Sequence, residues 1–137
     1  MSHPATPLLK YTLLTNAATS ALAGLLCIVL NGFLSELIGL SSSIYLYIVG
    51  GFLLIFAADV WFTASRNPIN PLFVKMIIAA DLAWVIGSFL LVLLLPELFT
   101  FTGIVLIEVI AVGVLGYAVL QTIGLKQTSA GAQRITA

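Results

Sequence analysis

The side chains able to do chemistry are few, and they stand inside long apolar runs. Asn16, Asp59, Lys75, Asp81 and Glu108 are the ones that fall there. An ionisable group inside lipid is costly, so each needs a partner or a task. Two of the acids sit in similar company, Ala57-Ala58-Asp59-Val60-Trp61 and Ala79-Ala80-Asp81-Leu82-Ala83-Trp84. Two roles suit such a pair. In the first, Asp59 and Asp81 bind a proton or another cation and face either side of a membrane in turn. In the second they are structural: Asp59 pairs with Lys75 or Arg66, and Asp81 is hydrogen-bonded to Asn16, Ser20 or Trp84. The similar surroundings lie on helices of opposite direction with little else in common, so they do not signal a duplication.

Other chemistries lack their residues. The chain has one histidine, His3, in its polar lead, and one cysteine, Cys27. A Ser/His/Asp or Cys/His catalytic set, a bis-histidine haem and a zinc site all need more ligands than this. Lys75 stands near a helix end with an easy route to the interface, which disfavours a Schiff-base role. No catalytic residue, metal or cofactor is expected, and no enzymatic activity.

Composition says where these residues reside. Of 137 residues 61% are hydrophobic and only 7% charged, whereas soluble domains carry about 25% charged residues. Five basic residues balance five acidic ones, which leaves no electrostatic footprint for nucleic acid. A single multi-pass membrane domain follows.

The elements that position the polar residues are four apolar runs, at about 8–31, 44–64, 72–95 and 99–124. Each is long enough for a span of about 20 residues. The first has no small-x-small site after it, and Leu26 precedes Cys27 where a lipoprotein signal needs a small residue, so it reads as a retained helix. Along it Thr12, Asn16, Ser20, Ala23, Cys27 and Asn31 form a small and polar stripe. Such a stripe suits close helix packing or a polar pathway. The first link is too apolar for a water-exposed loop and predicts a short interfacial helix ending at Gly39. The second link ends one helix at its prolines and lets Pro71 begin the next. Residues 44–95 therefore read as a central hairpin. Gly113 and Gly116 thin one face of the fourth span, and 125–137 reads as a loose polar tail.

Lys10, Arg66, Lys75, Lys126 and Arg134 all lie in or beside the amino terminus, the second link and the tail, while the first and third links carry Glu36 and Glu97. The positive-inside rule then puts both termini in the cytoplasm. At 1.5 Å per residue, Asn16, Asp59 and Asp81 fall roughly 10–15 Å from the cytoplasmic surface. Lys75 reaches the level of Asp59 across the hairpin, and Glu108 belongs to the outer half.

The layout resembles the small prokaryotic integral membrane proteins with four predicted transmembrane helices. The resemblance is carried by Ala80-Asp81-x-x-Trp84-x-x-Gly87-Ser88, the Gly39-Leu40 turn and Leu120-Gln121-x-x-Gly124-Leu125, and that group brings no activity with it. It implies a multi-pass protein of a prokaryotic inner or plasma membrane. Small multidrug transporters share the size and span number, but their essential glutamate lies in the first helix, where this chain has no acid. The expectation is an all-α four-helix transmembrane bundle with both termini cytoplasmic. It would serve as a non-catalytic component packing with lipid, with copies of itself or with other membrane proteins. The alternative is a small proton- or cation-coupled transporter using Asp59 and Asp81.

Overall fold

A computed structural model describes residues 4–136, and His3 lies outside the described residues. The chain forms helices α1 (Pro7–Val29), α2 (Asn31–Ile38), α3 (Ile44–Ser65), α4 (Pro71–Leu94) and α5 (Phe101–Thr136), with a 3-10 turn at Pro96–Leu98. Four of them, α1, α3, α4 and α5, are long and apolar enough to cross a membrane. No strand occurs among the described residues.

Local chemistry sets the boundaries. Thr6 caps α1, its Oγ1 accepting from the Leu9 amide at 3.4 Å, and Pro7 takes the first helical position, where its missing N–H costs nothing. Asn70 and Pro71 repeat this device on α4, with Asn70 Oδ1 accepting from the Leu72 amide at 2.9 Å. The chain breaks at Leu30, and Asn31 then starts α2. Its Nδ2 donates to the Cys27 carbonyl at 3.3 Å and the Ser43 carbonyl at 2.8 Å, so one side chain holds the ends of α1 and α3 together. α2 ends at Gly39, whose φ of 92° lies in the left-handed region that favours glycine.

Residues 125–136 continue α5 rather than forming a loose tail. They hold no proline, and Ala, Gln, Lys and Arg carry good helix propensity. The extension also has a tertiary hold: Thr128 Oγ1 accepts from the Thr6 amide at 3.2 Å, and Thr6 Oγ1 donates to the Gly124 carbonyl at 3.3 Å.

The arms of the predicted hairpin do not pack on each other along their length. α3 packs on α1 and α4 on α5, α1 also packs on α5, and α3 and α4 meet little. The α1–α3 approach rests on two glycines. A Cβ at Gly24 would lie 2.9 Å from the Gly50 carbonyl oxygen, closer than packed atoms tolerate, so small residues let the backbones touch. At the opposite end of the bundle from the termini, the Thr100 amide donates to the Ile38 carbonyl at 2.9 Å, fixing α5 beside α2.

The apolar core lies at the end of the bundle that holds the termini and the α3–α4 link. Leu9, Leu13, Ala17, Val60, Ala64, Ile69, Val74, Ile77 and Leu125 form it. One turn further along α1, α4 and α5, the buried residues turn polar.

Candidate functional site

Three helices each contribute one side chain to that polar layer. Asn16 of α1, Asp81 of α4 and Gln121 of α5 are 1%, 3% and 0% exposed. Asn16 lies seven residues beyond Leu9, Asp81 seven beyond Val74, and Gln121 four before Leu125. Each thus stacks two turns or one turn from a core residue on the same helix face.

The hydrogen bonds converge on one atom. Asn16 Nδ2 donates to Asp81 Oδ2 at 2.9 Å, and Gln121 Nε2 donates to the same oxygen at 3.2 Å. Behind Asn16, Ser20 Oγ donates to Asn16 Oδ1 at 3.2 Å. No further hydrogen bond reaches the carboxylate among the described residues, and the buried Oε1 of Gln121 has no partner. One carboxylate therefore ties α4 to both α1 and α5. Thr19 Oγ1 and Tyr117 Oη, 3.1 Å apart, tie α1 to α5 directly.

The remaining polar residues singled out by sequence lie elsewhere. Asp59 and Lys75 are both exposed, and neither enters an ion pair among the described residues. Their heights match, since Asp59 stands roughly 9 Å before the end of α3 and Lys75 roughly 6 Å after the start of α4. Their directions do not. Lys75 lines a groove against α5 with Ile78, Thr122, Leu125 and Lys126, whereas α3 packs on α1 and leaves Asp59 on its outer face. The expected Asp59–Lys75 pair is absent for this reason. Arg66 does not pair with Asp59 either; its guanidinium stacks over the Phe62 ring at 4.2 Å. Glu108 is half-buried with Oε1 unpartnered, about 20 Å along α5 from Gln121. Trp84 is half-buried and makes no hydrogen bond with Asp81.

Sequence reasoning names Gln121 only within the Leu120-Gln121-x-x-Gly124-Leu125 ending and does not place it beside Asp81. Its spacing of four from Leu125 was the available signal. Among the described residues no group of three or more His, Cys, Asp or Glu side chains is arranged to hold a metal. Chemically, the cluster can accept a hydrogen bond, hold a proton or fasten three helices. No family model, curated protein or solved structure matches this chain.

Proposed function

We propose that this chain is a non-catalytic component of a membrane assembly, packing against copies of itself or against other membrane proteins. Both termini lie on the cytoplasmic side of a prokaryotic inner or plasma membrane, as the placement of the basic residues supports. The Asn16–Asp81–Gln121 cluster fastens the bundle from within, and the outer faces make the assembly.

One observation carries this reading: Asp59 is exposed on the outer face of a membrane-spanning helix and has no ion-pair partner among the described residues. A carboxylate turned toward hydrocarbon is costly, and a neighbouring protein relieves that cost by supplying a donor or a cation. The open space around Gly87, Gly113 and Gly116 agrees, since a Cβ at any of them would meet nothing within 4 Å. Small residues on a span permit close approach of another helix. A transporter built on Asp59 and Asp81 together gains no support from the geometry, because one acid is exposed on α3 and the other is enclosed between α1, α4 and α5.

Site-specific photo-cross-linking in native membranes tests the reading. A photoreactive residue placed at Ile55, one turn from Asp59 and 68% exposed, should give protein adducts. Labelling of lipid alone would remove the basis for an assembly on this face.

A further inference from the structure

The hydrogen bonds within the Asp81 cluster leave two of its oxygens without a donor. Its donors are the two amide groups of Asn16 and Gln121 and the hydroxyl of Ser20. They are directed to Asp81 Oδ2, twice, and to Asn16 Oδ1. Two acceptors are left over, Asp81 Oδ1 and Gln121 Oε1, and the second is wholly enclosed. A buried acceptor without a donor is expensive to leave unmade, and Gln121 is 0% exposed, so bulk water does not reach it.

A single proton supplies the donor that the enclosed Gln121 oxygen lacks. On Oδ1 it turns one surplus acceptor into a donor, and that donor suits the other surplus acceptor. The two groups are already neighbours, since Gln121 Nε2 touches the same carboxylate at 3.2 Å. The last side-chain torsion of glutamine is broad, so the amide plane turns at little cost. We propose that the Asp81 cluster is a proton-exchange site, in which one proton enters on Asp81 Oδ1 and is held by Gln121 Oε1. The proton comes from water and returns to it; no bond other than O–H forms or breaks. Uptake adds a second hydrogen bond between α4 and α5, and release removes it.

Among the described residues no other charged side chain is hydrogen-bonded or ion-paired to the cluster. The titratable groups on the helices packed around it are Lys10, Tyr11 and Cys27 on α1, Lys75 on α4, and Glu108, Tyr117, Lys126 and the exposed Arg134 on α5; Cys27 stands roughly 17 Å from Asn16 along α1. Lys10, Tyr11, Lys75 and Lys126 are exposed, and Tyr117 is engaged with Thr19. Glu108 stands about 20 Å away along α5. On α3, which meets α4 little, Asp59 is exposed. Oxygens from Asp81, Gln121, Asn16 and Ser20 would also suit a small monovalent metal ion, but both amide donors already point into the site, which favours the proton.

The chain has two aspartates, Asp59 and Asp81, and this allows a direct test. In the full-length Asp59→Asn protein, carboxyl-13C aspartate reports Asp81 alone. Infrared difference spectra in lipid bilayers, between mildly acidic and mildly alkaline buffer, should show the labelled band switch between carboxylic acid and carboxylate. In Asp59→Asn/Gln121→Met the acid band should move to higher frequency, because its O–H has lost its acceptor and its carbonyl the Gln121 N–H. A labelled band that never switches would overturn the proposal, leaving Asp81 as a purely structural tie. Indifference of the band to Gln121→Met, or its suppression by sodium at constant pH, would overturn it equally, the latter in favour of a metal-ion site.

Discussion

Removing Asn16 from Asp81 tests whether the polar layer holds the bundle together. The donor–acceptor distance is 2.9 Å, and both residues are at least 97% enclosed, so neither partner has bulk water as a substitute. A hydrogen bond to a charged group is worth about 1.5–3 kcal/mol in water-soluble proteins. Between membrane helices the measured average is about 0.6 and the maximum about 1.7 kcal/mol, because the unfolded chain in the bilayer also finds partners. The short distance and full enclosure place this bond near the upper membrane value. Asn16→Ala, Asp81→Ala and the double variant form a cycle with an expected coupling of about 1–2 kcal/mol. The matching Gln121 cycle, at 3.2 Å, should give a smaller coupling. Reversible unfolding in mixed micelles measures both. Additivity within about 0.5 kcal/mol for Asn16 and Asp81 would mean that the bond contributes nothing to the fold, and the fastening role would fall.

Further predictions follow from the packing. Gly50→Val should separate α1 from α3 and lower stability by about 1–3 kcal/mol, since a Cβ there meets the Gly24 carbonyl at 2.9 Å; Gly51→Ala, with open space around it, should be neutral or slightly stabilising in the same thermal melt. Gly39→Ala should also destabilise, because its φ of 92° is strained for alanine and its Cβ would lie 2.8 Å from the Thr100 amide nitrogen. Lys75→Gln should change the melting of the isolated chain little, within about 0.5 kcal/mol; a larger loss would restore an Asp59–Lys75 pair. A reporter that works only in the cytoplasm should be active when fused after Arg66 and silent after Ser42 or Glu97; activity at Ser42 would reverse the orientation.

Much of the architecture was legible because it depends on one-dimensional properties. Span length and hydropathy locate four helices, Gly39 ends α2, and Pro71 opens α4. Asn16 also reads correctly as a neighbour of Asp81, because both heights and the polar stripe of α1 agree. Height without direction misleads for Asp59 and Lys75. Rise per residue places them level, but the side each faces depends on which helices pack together. That choice rests on small contacts such as Gly24 on Gly50, which pull α3 onto α1 and away from α4. The extension of α5 escaped notice for a related reason. A polar segment reads as a tail until a tertiary tie, here Thr128 to Thr6, is known.

On the proposed reading, the outer face around Asp59 is covered by protein in the membrane. The mass of the intact particle, extracted in native-lipid discs without detergent, tests it most directly. Wild type should be found in particles holding more than one protein chain. The Asp59→Leu variant, still helical and inserted, should shift toward particles with a single chain. Single-chain particles for the wild type at native expression would contradict the account, because Asp59 would then face lipid with no protein beside it.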